Sequence, residues 1–132
     1  MPQQLEMALR LLLAAVLGAL IGLQRESVGK PAGARTLGLI SIGAAMFSVI
    51  SILSFPGGDP SRIAAGVVTG IGFLGAGAIL HRHGGVEGLT TAATIWVAAG
   101  VGLAAGAGQY IIAPVVTVMA LILLILPHKD VK

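Results

Sequence analysis

The sequence has no cysteine, which excludes disulfides, thiolate metal sites and a cysteine nucleophile. It is also short of charge: 10% of its 132 residues are Asp, Glu, Lys or Arg, where a water-soluble domain carries roughly 25% to cover its surface. The 5 acidic residues are scattered, so paired acid–base chemistry has no obvious seat and a dedicated Mg²⁺ site lacks its several oxygen ligands. No serine or threonine has a base in prospect and no ATP-binding loop is present, so neither an enzyme nor a primary pump is expected. No metal and no cofactor is expected either. The 8 Lys and Arg give a net charge of +3 but stand singly between apolar runs, a pattern that marks membrane topology rather than a nucleic-acid surface.

What remains is apolar, with 56% hydrophobic residues. Lipid has to cover most of such a chain. The expected fold is all-α: a polytopic membrane helix bundle of about five transmembrane helices, forming a single transmembrane domain over residues 1–132. The first apolar run lacks a positive N-terminal region and holds Arg10, so it reads as a retained span rather than a cleaved signal.

The first span is expected at about 7–23, with Ala14, Gly18 and Gly22 at four-residue spacing presenting a row of small surfaces to a neighbour. A loop rich in Gly and Pro follows, then a second span at about 37–55. Asp59 suits a helix N-cap and Pro60 the first helical position, opening a third span at about 63–80. That span is the densest in glycine. Each glycine in a helix interior costs roughly 1 kcal/mol against alanine, so close helix contact has to matter more there than propensity. At ~100° per residue, Gly66, Gly70 and Gly77 share one side while Gly72 and Gly75 fall on roughly the opposite one. The third span is therefore expected to be central, with close neighbours on both faces.

The charge-free stretch from Leu89 to Leu126 would be about 57 Å long as one helix, nearly twice the ~30 Å hydrocarbon core. It has to break, and Gly106-Ala-Gly-Gln109 is the natural place. The fourth and fifth spans are then expected at about 89–105 and 110–126. Five spans collect Arg25, Lys30, Arg35, Arg82, Lys129 and Lys132 on one side, which by the positive-inside rule puts the N-terminus outside and the C-terminus in the cytoplasm.

Gly70-Ile-Gly-Phe-Leu-Gly75 spells a dinucleotide fingerprint, but that motif needs a preceding strand and an amphipathic helix, so here it reads as helix packing. Two polar groups are candidates for function. At the cytoplasmic end, Gln24, Arg25, Glu26, Arg35 and Thr36 form the richest polar cluster, suited to interface anchoring, a partner surface or a network joining the first two helices. On the other side, Arg10, Asp59 and Arg62 suggest an ion pair or site, with Asp59 and Glu6 both available as acidic partners for Arg10. His81 and His83 flank Arg82 without a nearby cysteine and read as solvated loop residues rather than a zinc site.

With these residues in view, the chain resembles the MgtC/SapB family of bacterial membrane proteins over nearly its whole length. The resemblance lies in Gly22-Leu-Gln-Arg-Glu26 with Lys30-Pro-Ala-Gly-Ala-Arg-Thr36, in Asp59-Pro-Ser-Arg-Ile-Ala-Ala65, in Gly70-Ile-Gly-Phe-Leu-Gly-Ala-Gly77, and in Gly88-Leu-Thr-Thr-Ala-Ala-Thr-Ile-Trp96, in that order. It implies a multi-pass protein of the bacterial inner membrane linked to survival under magnesium limitation and, in pathogens, to persistence in host cells. Members are understood to act through membrane partners, including the membrane sector of the F-type ATP synthase, rather than as enzymes. The chain's end at Lys132 implies the short form without a cytoplasmic C-terminal domain. Gln24, Leu37, Gly66 and Glu87 depart from the residues the family pattern leads one to expect. The expected role is a non-enzymatic regulatory or interaction protein, with a small oligomeric transporter of Mg²⁺ or another cation as the alternative. Membrane lipid and a second copy, as a dimer, are its expected partners.

Overall fold

A computed structural model of the chain describes residues 2–82 and 85–127, with backbone alone for 80–82 and 85–87. Its helices are α1 (Pro2–Ser27), α2 (Ala34–Ser54), α3 (Pro60–Gly77), α4 (Leu89–Gly106) and α5 (Ile112–Ile125). By length and apolarity α1, α2 and α4 are each able to cross a membrane. Helix α5 is apolar but has 14 residues, about 21 Å of helix. Helix α3 has 18 residues but opens on Pro60-Ser-Arg62 and is not among the helices apolar enough to qualify. His83 and the tail from His128, with Lys129 and Lys132, lie outside the described residues.

Between α3 and α4 the backbone is an antiparallel pair rather than the expected loop. Strands β1 (Leu80–Arg82) and β2 (Gly85–Glu87) align Leu80 with Glu87, His81 with Val86 and Arg82 with Gly85. The pair ends at Gly88, whose φ of +92° is left-handed and whose missing Cβ leaves room for the Ala78 carbonyl. Only glycine fits that conformation and that approach without strain.

Successive helices run in opposite directions, and α1, α2 and α4 enclose the core. Ala14, Leu17 and Ile21 from α1 pack with Leu37 and Ala45 from α2 and with Ile95, Ala98, Val101 and Ala105 from α4. The small-residue row of α1 is buried as its spacing indicates, with Gly18 against Leu37 and Ser41 and Gly22 against Gly33 and Ala34. On α4, a Cβ at Gly102 would overlap the Ser41 carbonyl and one at Gly106 would lie 2.6 Å from the Ala45 carbonyl. Helix α2 thus meets glycine on two sides.

Helix α3 corrects the expectation that the glycine-rich span is central. Gly75, in ordinary contact with Ala92, is its one buried residue, while a Cβ at Gly66, Gly70, Gly72 or Gly77 would have nothing within 4 Å. Spacing marks where a helix is bare but not what covers it. Within one copy of this chain those faces stay open.

Candidate functional site

Three consecutive residues at the end of α1 point in directions ~100° apart, as the helix pitch requires. Each reaches a different neighbour. The Gln24 amide donates to the Leu124 carbonyl in the last turn of α5 at 3.3 Å. The Arg25 guanidinium donates from Nη2 to Thr91 Oγ1 in the first turn of α4 at 2.5 Å, and from Nε to the Pro31 carbonyl at 3.4 Å. The Glu26 carboxylate accepts from the Ala34 amide at 2.6 Å.

The Glu26 contact explains how α2 begins. Its N-cap is Gly33, which has no side chain to satisfy the first amides, so a carboxylate from α1 does so and lies favourably at the positive end of the helix dipole. Gly33 leaves the space for it: a Cβ there would run into the Glu26 carboxylate. Helix α1 ends in a tight turn, with Gly29 and Lys30 amides returning to the Glu26 and Arg25 carbonyls at 3.1 and 2.9 Å.

Arg25 is the group least expected where it is. It is 4% exposed and no carboxylate pairs with it among the described residues. A guanidinium at such a site depends on every acceptor it can reach, because its charge is costly away from water. Gln24 Oε1 is also buried without a partner among the described residues. Arg35 and Thr36 are exposed on the first turn of α2. The structure therefore joins Gln24, Arg25 and Glu26 into a tie between helices and leaves Arg35 and Thr36 at the surface beside it.

At the opposite end of the bundle a second arginine makes a second tie. Arg10 Nη2 pairs with Glu6, one turn earlier on α1, at 2.6 Å. Its Nη1 donates to the Gly106 carbonyl at 3.0 Å and its Nε to the Tyr110 hydroxyl at 3.2 Å. The hydroxyl in turn donates to Glu6 at 3.0 Å, closing a ring of polar contacts. The guanidinium also lies against the α4–α5 turn at Gly108, where φ is +83° and a Cβ would sit 2.8 Å from Nη2.

Of the two acids in prospect for Arg10, Glu6 is the partner. Asp59 instead caps α3, accepting from the Ser61 amide at 3.0 Å and the Ser61 hydroxyl at 2.7 Å, both on Oδ1. Those bonds, the hydroxyl first, hold its carboxyl below the usual aspartate range. Arg62 is exposed one turn further along the helix. The predicted group of Arg10, Asp59 and Arg62 thus divides into a clasp and a cap.

Tyr110 and Thr91, which complete the two ties, were not legible as partners. Tyr110 is the single tyrosine and sits just past the chain break at Gly106, but a side chain's reach across a bundle leaves no trace in spacing. No group of three or more metal-capable side chains occurs among the described residues.

Comparison with known proteins places the chain. The MgtC family model matches residues 11–130. The protein named "Putative magnesium transporter YhiD" in Escherichia coli K12 is 46% identical over 132 residues, covering 94% of this chain and 61% of that protein. An uncharacterized protein of Haemophilus influenzae is 44% identical, covering 92% of this chain and 55% of its own length. Protein MgtC of Salmonella typhimurium is 50% identical over 102 residues, covering 77% of this chain and 44% of its own length. The chain spans about half the length of these relatives. No solved structure matches it at a significant level. With residues 11–130 matched by the MgtC family model and three helices able to span a bilayer, this membrane protein belongs to the MgtC family.

Proposed function

We propose that the chain is a non-enzymatic membrane protein of adaptation to magnesium limitation, acting by contact with other membrane proteins in the bacterial inner membrane, with its N-terminus outside. The observation that carries this reading is the use of the polar side chains at both ends of the bundle. Arg10 and Arg25 tie α1 to α4, and Gln24 and Glu26 tie it to α5 and α2. Between them the helices close on glycine, alanine and aliphatic contacts. Such an interior is built to hold one shape rather than to pass an ion. The membrane sector of the F-type ATP synthase is the first partner to test by co-purification.

One observation favours the alternative, a small transporter. The Ser41 hydroxyl is fully buried where α1, α2 and α4 meet and has no partner among the described residues, and an E. coli relative bears a magnesium transporter's name. Purified protein in sealed vesicles separates the two. No Mg²⁺ flux above empty vesicles is expected; protein-dependent flux that falls in Ser41→Ala would overturn the interaction reading.

A further inference from the structure

Helix α3 presents a contradiction between composition and placement. It has 18 residues with a single one buried, and at four of its five glycines a Cβ would have nothing within 4 Å. Glycines that each cost a helix interior roughly 1 kcal/mol against alanine are thus left without a neighbour in one copy. Its open face carries Gly66-Val-Val-Thr-Gly70, a G-x-x-x-G spacing that lets two membrane helices approach to backbone contact. A Cβ at either glycine would have nothing within 4 Å.

The same row supplies features that complement themselves. Phe73, at 82% the most exposed large apolar side chain among the described residues, lies on the helix side of Gly66, Gly70 and Gly77 and stands out beside those flat surfaces. Asp59 and Arg62 lie one turn apart at the start of the row. Asp59 receives both Ser61 bonds on Oδ1, and Arg62 has no ion-pair partner among the described residues. Beside the row, a groove of about 600 Å³ runs between α2 and α3, floored by Gly43, Gly66 and Gly70 and walled by Leu39, Phe47 and Ile63.

We propose that this face of α3 binds a second copy of the chain. Two copies inserted the same way in a membrane are related by a two-fold axis along the bilayer normal, so their α3 helices lie parallel and cross at Gly66 and Gly70. In that arrangement a residue meets its counterpart's neighbour twice. Asp59 of each copy faces Arg62 of the other, and each Phe73 covers the glycine surface opposite. The groove takes the flanking side chains. Charge complementarity of one face with itself singles out a second copy over lipid or an unrelated protein.

The absence of native cysteine makes the test direct. Thr69→Cys and Phe73→Cys, on or beside the row, are expected to give an oxidised cross-linked dimer as the main product in native membranes. Val68→Cys, which faces the groove toward α4 and α5, is expected to give little. Gly66→Leu and Gly70→Leu, at positions where a Cβ has nothing within 4 Å in one copy, are expected to keep their helicity and lose dimer by at least about tenfold. Absence of cross-linking at Thr69→Cys and Phe73→Cys, with a monomer by single-molecule photobleaching, would mean lipid covers the face and overturn the proposal. So would cross-linking to a different protein, or full dimer in both leucine variants.

Discussion

Arg25 shows why a side chain's charge and its geometry have to be weighed separately. Its fork reaches Thr91 on α4 and the Pro31 carbonyl at once while 4% of it is exposed. Lysine keeps the charge but offers one compact ammonium in place of the planar fork. Arg25→Lys is therefore expected to cost ~1.5–3 kcal/mol, the range for a hydrogen bond to a charged group, read as a lower unfolding midpoint in detergent. A midpoint equal to the parent's would show that charge alone is needed. Asp59 gives the complementary case at the surface. Its folded carboxyl is held below its ordinary value by Ser61, so the cap's contribution is complete above the unfolded aspartate value and fades as pH falls through the depressed folded one. The start of α3 is expected to loosen in acid, with amide protection at Ser61 and Arg62, taken relative to the unstructured exchange rate at each pH, falling as Asp59 protonates. Asp59→Asn is expected to remove that pH dependence.

At the scale of elements, α1 was legible because its small residues recur every fourth position and its neighbour is the next helix in the chain. Helix α3 has the same signal, but four of its five glycines meet nothing inside one copy, so pattern revealed the bare face and not its placement. Helix α4 went the other way. Gly106 marks the chain break from sequence, yet with Gly102 it is also where α4 meets α2 most closely, and the long charge-free run concealed that second use. The short β1–β2 pair left no periodicity to read. Of the two polar groups, position along the chain was legible, whereas partner choice depended on helix rotation. The closeness of the α2–α4 contact can be tested with two neighbouring glycines. At Gly102 a methyl would overlap the Ser41 carbonyl, so Gly102→Ala is expected to force the helices apart and destabilise by ~1–3 kcal/mol, as overpacking does. At Gly100 a Cβ meets nothing, so Gly100→Ala is expected to be neutral or to stabilise by up to ~1 kcal/mol through helix propensity. Equal effects of the two substitutions on the unfolding midpoint would remove the contact from the account.

On the scale of the whole molecule, α1 and α4 are pinned at both ends by arginines of the same helix. Arg10 holds the Gly106 carbonyl at the C-terminus of α4, where a cation is favoured by the helix dipole, and Arg25 holds its first turn, where a cation is not. The two are separated along α1 by about 22 Å. Packing of Ala14, Leu17 and Ile21 against Ile95, Ala98 and Val101 fills the space between them. If that packing alone fixes the distance between the helices, the ties act independently, since sites more than about 10 Å apart with no shared partner add within ~0.5 kcal/mol. Arg10→Met combined with Arg25→Lys is therefore expected to lower stability by the sum of the single effects, measured as unfolding midpoints in one detergent. A combined loss exceeding the sum by more than ~1 kcal/mol would show that the core between them yields once one end is released. The bundle would then be a frame held by its polar ends rather than by its glycine and alanine seams.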